Sequence, residues 1–165
     1  MEEKAQVRVA VACEEDVAAW LDLAAEVESL FGPMVSDPLF HQALYRNIGR
    51  GSAFCIRSCV REGDGLPGVP LLGGLLFSSH PPKYRIGWLA VREESRRCGV
   101  GRRLVEHVLS LVQPPAEVSV ITFVATEPEG MAARSFYENL GFSPAEPTFF
   151  GPARHPRQVF RLSIG

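Results

Sequence analysis

Hydrophobic and polar positions along this chain repeat with two different periods, and the changes between them mark out the elements. Gln6 to Ala12 (QVRVAVA) alternates charged with apolar and β-branched residues, which predicts a strand. From about Glu14 to Leu30 the period lengthens to that of a helix. Val17, Trp20, Leu21, Ala24 and Phe31 fall on one side and should face the core; Asp22 and Glu26 fall on the other. Glu14, Glu15 and Asp16 occupy the first turn, as the helix dipole prefers. Glu28 projects onto the apolar side near the helix end, where a carboxylate is either solvated by fraying or stands at the mouth of a pocket. Gly32-Pro33 breaks this helix. Asp37-Pro38 opens another, to about Ile48, with Asp37 as N-cap and Pro38 at the first helical position.

The middle of the chain returns to the two-residue period. Ser52 to Arg61 and Pro70 to Ser79 read as strands joined by the Gly- and Pro-rich turn Glu62 to Gly68, and Tyr84 to Val91 as the next strand after His80-Pro81-Pro82. Strands joined so closely should pair antiparallel. A helical pattern beginning near Arg102 and running to about Val112 puts Leu104, Val105, Val108, Leu111 and Val112 on its buried side, and Gln113-Pro114-Pro115 ends it. Val118 to Ala125 (VSVITFVA) is apolar enough for a strand buried on both faces, parallel to the one ending at Val91 through a right-handed crossover. After the loop Thr126 to Gly130, a short helix spans Met131 to Leu140, closed by Gly141. Thr148 to Gly151 and Gln158 to Ile164 form a final hairpin.

Composition narrows the class. A chain of 165 residues, 46% hydrophobic and 22% charged with mean hydropathy +0.04, fits one soluble globular domain spanning 1–165. A net charge of -2 and a pI near 6.1 argue against a nucleic-acid binder. The longest apolar run, Val69 to Phe77, is interrupted by Pro70, Gly73 and Gly74 and is too short to cross a membrane, and the acidic start Met-Glu-Glu-Lys-Ala does not read as a signal peptide, so a cytoplasmic location is expected. The four cysteines (13, 55, 59, 98) lack C-x-x-C spacing and the four histidines (41, 80, 107, 155) are scattered, so no metal site is indicated. Cys55 and Cys59 share one expected strand, about 13 Å apart, too far to bridge. Homodimerisation is left open.

The chemistry is concentrated in Arg96-Arg97-Cys98-Gly99-Val100-Gly101, between the apolar run Trp88-Leu89-Ala90-Val91 and the following helix. Two glycines one apart, with no carboxylate in the loop, let amides point one way at the positive end of a helix dipole: an anion site for one phosphorylated ligand. A Walker loop is excluded, because neither glycine is followed by Lys and then Ser or Thr in frame. A dinucleotide fingerprint fits poorly: Leu104 stands where its third glycine belongs, and Arg92 to Cys98 separate the loop from the strand. Permissive glycines at an ordinary helix entry are the bland alternative.

Strand, polar loop, Arg-x-x-Gly-x-Gly and helix together resemble the acetyl-CoA-binding segment of the GNAT superfamily of N-acyltransferases, with Arg96, Gly99 and Gly101 at its defined positions. A second segment, Ala133-Arg134-Ser135-Phe136-Tyr137-Glu138-Asn139-Leu140-Gly141-Phe142, resembles that superfamily's A-x-x-F-Y-x-x-x-G-F motif, one helix and one strand later, which is the family's order. The resemblance covers Tyr84 to Phe142 well and the N-terminal third only in element order.

The resemblance implies an α+β (α/β) fold: a mixed, mostly antiparallel sheet of six to seven strands flanked by about four helices, its central parallel strands splayed apart. It implies transfer of an acetyl group from acetyl-CoA, as co-substrate, to a primary amine of a small molecule or peptide, by direct attack in a ternary complex. The pantetheine arm would bond to Leu89 and Val91, an amide near Ala90 would polarise the thioester carbonyl, and the pyrophosphate would sit on the amides of Arg97, Cys98, Gly99, Val100, Gly101 and Arg102. Tyr137 is the implied general acid, placed by periodicity at the edge of a stripe formed by Ala133, Phe136 and Leu140. Many relatives carry a carboxylate base on the strand before the loop; this chain has none there, and Glu28 and Glu127 are the candidates beside water or an already neutral amine. The two N-terminal helices commonly wall the acceptor site in that superfamily. Seven carboxylates (14, 15, 16, 22, 26, 28 and 37) with no Lys or Arg between Arg8 and Arg46 therefore suggest a cationic amine, although a solvated helix face accounts for most of them. A non-catalytic acyl-CoA-binding module of the same fold is the rival class, and a dinucleotide-dependent oxidoreductase a distant third.

Overall fold

The computed structural model describes residues 8–58, 65–150 and 154–165. Seven strands form one sheet in the order β1-β2-β3-β4-β5-β7-β6. The chain divides into two compact units, Met1–Phe77 with Trp88–Leu111, and Ser78–Gly87 with Val112–Gly165. Among the described residues no helix is long and apolar enough to cross a membrane.

In the first unit, β1 (Val9–Val11) pairs antiparallel with β2 (Ala53–Arg57), and β2 pairs antiparallel with β3 (Leu71–His80). The first expected strand is thus observed from Val9, while Gln6 and Val7 lie outside the described residues, as do residues 59–64 of the expected second strand and the turn after it. The expected first helix divides into a 3-10 turn, Glu14–Asp16, and α1 (Val17–Phe31). Its buried stripe is Val17, Ala19, Trp20, Leu23, Ala24 and Val27. Leu21 is only partly buried and Phe31 is exposed, so the buried stripe is rotated from the expected one toward Leu23 and Val27, which join the core cluster. Asp37 caps α2 (Pro38–Arg50) as expected, its carboxylate accepting from the Leu39 amide at 3.0 Å, and Gly51 closes the helix at φ 71°.

β3 is thin where both helix layers press on it. A Cβ at Gly74 would lie 2.8 Å from the Trp20 ring. One at Gly73 would lie 2.7 Å from Val100 Cγ1 and 3.1 Å from both Leu104 Cδ1 and the Ala90 carbonyl oxygen. The glycines that interrupt the apolar run therefore let α1 and α3 (Val100–Ser110) settle closely on opposite faces. α3 buries Val100, Gly101, Leu104, Val105 and Val108, with Val112 just beyond it; Leu111, expected inside, is 49% exposed because α3 ends at Ser110.

Asp16, read from the sequence as a first-turn acid favoured by the helix dipole, is fully buried. It accepts from Arg57 Nε at 3.0 Å and Nη2 at 2.7 Å, from the Cys13 amide at 2.9 Å and from the Gly68 amide at 3.3 Å. Burial alone would raise its pKa; the guanidinium and the two amides outweigh burial and hold it below the ordinary 3.8. Cys13, Cys55 and Cys98 are free thiols, and burial pushes Cys55 up to about 12.

In the second unit the first half of β4 (Lys83–Val91) pairs parallel with β5 (Ala116–Phe123), from Lys83↔Glu117 to Ile86↔Val120, where the register stops. β5 pairs antiparallel with β7 (His155–Ile164), which pairs antiparallel with β6 (Ser143–Phe150). The final hairpin is longer than expected because Pro144 to Pro147 are taken up by a register shift rather than a turn. β5 is not buried equally on both faces: Val118 and Val120 are buried while Ser119 and Ile121 are half-buried. α4 (Met131–Asn139) follows, and Gly141 at φ 96° reverses the chain after it.

Replacing Asp16 with Ala leaves a buried guanidinium unpaired and should cost about 3–5 kcal/mol, read as a lower urea midpoint. The depressed folded-state pKa means that the pair contributes fully above about pH 4 and is lost as pH falls below the unfolded value of 3.8. Asp16→Asn should flatten that acid limb of the stability profile.

Candidate functional site

The loop between β4 and α3 is built from its ends inward. Its start is tied to β3 by the Arg92 amide donating to the Leu72 carbonyl at 2.8 Å and Arg92 Nε donating to the Leu71 carbonyl at 3.0 Å. The next residue is held by α1, since the Glu93 amide donates to Glu26 Oε1 at 2.7 Å. After a 3-10 turn at Glu93–Ser95, Arg97 and Gly99 adopt left-handed φ of 64° and 81°. Gly99 caps α3, whose first intrahelical bond is Arg103 N–H to the Gly99 carbonyl at 3.0 Å, so the amides of Val100, Gly101 and Arg102 have no partner within the helix. A Cβ at Gly99 would meet nothing within 4 Å. This loop is open on the side an anion would approach.

Around that opening, Arg96, Arg97, Cys98 and Gly99 are exposed, while Val100 and Gly101 are buried as the helix turns into the core. Arg96 Nε donates to the Val91 carbonyl at 3.4 Å, and Arg102 pairs with Glu106 at 2.8 Å on the helix surface. Leu89 and Val91 are half-buried and Ala90 is buried at the end of β4. All eleven expected cofactor positions except Tyr137 therefore fall on one continuous stretch of the first unit, from Leu89 to Arg102.

Tyr137 belongs to the second unit and lies at the centre of its stripe rather than at the edge. It is 6% exposed, whereas Ala133, Phe136 and Leu140 are half-buried. Its ring is surrounded by Phe136 at 5.1 Å, Phe142 at 5.7 Å and Phe160 at 6.5 Å. The Gly141 reversal brings Phe142 back, its amide donating to the Tyr137 carbonyl at 3.0 Å, which is the physical content of the F-Y-x-x-x-G-F spacing. Burial raises the Tyr137 pKa well above the ordinary 10.0, keeping the phenol protonated.

The two candidate bases are in different surroundings. Glu127, half-buried, starts the 3-10 turn before α4, its carbonyl accepting from the Gly130 amide at 3.1 Å. Glu28 Oε1 accepts from the Met34 and Val35 amides at 3.3 and 3.0 Å, so it closes the turn between α1 and α2 and is not frayed into water. The acidic bias of this segment is likewise put to structural use: Asp16 pairs with Arg57, Glu26 holds Glu93, Glu28 holds the turn and Asp37 caps α2.

Sequence reading missed an aromatic group on the same unit. Trp88 on β4 packs against Trp20 at 5.5 Å and Phe40 at 5.6 Å, and its indole N–H donates to Met34 Sδ at 3.2 Å. The signal was Trp88 itself, a large side chain immediately before the loop. Among the described residues no group of His, Cys, Asp and Glu could hold a metal ion.

A family model described as "Acetyltransferase (GNAT) family" matches residues 18–142. The chain belongs to that family and is an acetyltransferase. Similar solved structures include the NatC complex bound to Gag peptide and CoA, at 19% identity over 98% of this chain and 100% of that one, with a TM-score of 0.69. The ribosomal-protein-S18-alanine N-acetyltransferase from Escherichia coli matches at 17% identity over 96% and 94%, with a TM-score of 0.68. Arabidopsis thaliana Naa50 in complex with the bisubstrate analogue CoA-Ac-MVNAL matches at 16% over 97% and 100%, with a TM-score of 0.67. At these identities the likeness is one of fold. A comparison with curated proteins returns no match.

Glu28→Ala should free the Met34–Val35 turn and lower stability by about 1–2 kcal/mol, whereas Glu28→Gln keeps an acceptor oxygen and should recover most of the loss. Urea unfolding of the two variants measures this directly.

Proposed function

We propose that this acetyltransferase uses acetyl-CoA to acetylate the free amino end of a peptide. The observation that carries the cofactor half is the left-handed, sterically open Gly99 leading into unpartnered amides at the start of α3, which fits a pyrophosphate better than it fits an ordinary helix entry. Arg97 to Arg102 supply the main-chain donors, and Arg96 and Arg97 add exposed positive charge. The main chain of Leu89 and Val91, beyond the last β4–β5 register pair, is suited to receive an extended pantetheine arm as an added strand. An amide near Ala90 is suited to polarise the thioester carbonyl.

Bound acetyl-CoA supplies the acyl group and a thiolate that must be protonated as it leaves. Tyr137, its phenol kept neutral by burial, holds a proton that can be given to that sulfur. We assign removal of the amine proton to Glu127 or to water, because Glu28 already serves the α1–α2 turn. Most of the rate enhancement then comes from holding amine and carbonyl in attack geometry rather than from covalent chemistry. Support for a peptide acceptor comes from relatives of the same fold whose structures hold a Gag peptide with CoA or a bisubstrate analogue of a peptide beginning MVNAL.

Calorimetry should detect CoA binding to the parent, and Gly99→Glu should abolish it, since the carboxylate would stand in the space offered to the pyrophosphate. Absence of CoA binding by the folded parent would defeat the proposal. Tyr137→Phe should lower kcat by about 10²-fold or more with CoA affinity little changed, and the parent's pH–rate profile should have no alkaline limb from this tyrosine below pH 10.0.

A further inference from the structure

The helix that carries Tyr137 is weakly held at its own start. α4 has nine residues, its N-cap is Gly130, and no side chain caps its first amides. The glycine is imposed by β5, because a Cβ at Gly130 would overlap Phe123 Cβ and Cγ; the last side chain of the strand stands where a capping residue would have to begin. So short a helix without a cap has little stability of its own, and its rotation is set by what it touches on the sheet.

The polar tie is Arg134, one turn before Tyr137. Its Nη1 donates to the carbonyl of Phe123, the last residue of β5, at 2.8 Å and to Gln158 Oε1 on β7 at 2.6 Å. Gln158 Nε2 donates in turn to the Ala145 carbonyl on β6 at 2.9 Å. The guanidinium carbon also lies 4.9 Å over the Phe160 ring, one of the three rings that enclose Tyr137. Among the described residues no other α4 side chain makes a hydrogen bond to the sheet, and no carboxylate pairs with Arg134. A half-buried charge is therefore held by neutral acceptors alone. Packing gives no reason for that charge, since a methionine or leucine would cover Phe160 without desolvating a cation. What a guanidinium adds is direction: its planar N–H groups point at fixed angles, and here they join α4 to two strands at once.

Direction is what proton transfer needs. The phenol oxygen of a helical tyrosine lies about 9 Å from the helix axis, so a rotation of about 10° would carry it about 1.5 Å, enough to cost about 10² in rate. We infer that Arg134 is a positioning residue for Tyr137: by bonding the Phe123 carbonyl and Gln158 together it fixes the rotation of α4 and aims the phenol for protonation of the leaving thiolate. The inference rests on the proton-donor reading of Tyr137 above and is separable from it.

Full-length parent, Arg134→Met, Tyr137→Phe and the double variant are assayed for release of CoA thiol with acetyl-CoA and the peptide MVNAL. Arg134→Met keeps an apolar stem over Phe160 and removes both bonds. It should lower kcat by about 30-fold or more with KM for acetyl-CoA little changed, and in the Tyr137→Phe background it should cost no more than about two-fold, because the group it misplaces is gone. Arg134→Lys retains a donor and should recover part of the loss. Gln158→Met, which removes one acceptor from outside the helix, should act in the same direction by a smaller factor, so the test does not depend on one variant folding. In protein labelled with 3-fluorotyrosine the three tyrosines give three fluorine resonances. That of Tyr137, identified by its loss in Tyr137→Phe, should move in Arg134→Met while those of Tyr45 and Tyr84 stay in place. A loss undiminished in the Tyr137→Phe background, an unchanged kcat in Arg134→Met, or an unmoved Tyr137 resonance would overturn the positioning role and leave acetyl transfer intact. An unslowed Tyr137→Phe would overturn the proton-donor reading and the positioning role together. No release from protein that binds CoA would overturn the peptide reading, and the fluorine resonance then decides whether Arg134 places Tyr137.

Discussion

Two adjacent glycines on β3 set how closely the helices of the first unit can approach its strands. At Gly74 the Trp20 ring occupies the place of a side chain, and at Gly73 Val100, Leu104 and the Ala90 carbonyl do the same. The second contact bears on the proposed cofactor loop. It brings the first turn of α3 against the end of β4, so the loop joining them must reverse within a few residues, and it does so with left-handed φ at Arg97 and Gly99. A methyl group at position 73 would push α3 outward and slacken the loop. The loop's conformation is thus a consequence of strand thinness as much as of the loop's own sequence.

The same economy governs the acidic N-terminal segment. Read as composition, its carboxylates suggest attraction for a cationic substrate. In the fold several are already committed: one neutralises Arg57 in the core, one fastens the loop between β4 and α3 through Glu93, one closes the turn after α1 and one caps α2. A carboxylate that accepts from backbone amides stabilises chain direction, and what Glu28 stabilises here is the turn from α1 into α2.

In the proposed mechanism Tyr137 would satisfy packing and chemistry together. The aromatic ring is part of the core of the second unit, enclosed by Phe136, Phe142 and Phe160, and this enclosure keeps the phenol protonated. A proton donor needs a pKa above the working pH, and burial provides that without a neighbouring charge. The glycine that returns the chain to place Phe142 on the ring is thus also part of what tunes the hydroxyl.

Local signals were enough to read most elements, the parallel step from β4 to β5, the Asp37 cap and the glycine loop, because each depends on periodicity, turn chemistry or spacing within a short window. The family itself was legible from two motifs in order. What only the tertiary structure decided were the long-range pairings: Asp16 with Arg57, forty-one residues apart; Glu26 with the Glu93 amide; Trp88 with Met34; and the rotation of α1 that buries Leu23 while exposing Phe31. The physical reason is the same in each case. Periodicity tells which residues share a face, but which residue meets which partner, and whether a carboxylate ends in water or in a hydrogen bond, is settled by how closely distant elements pack.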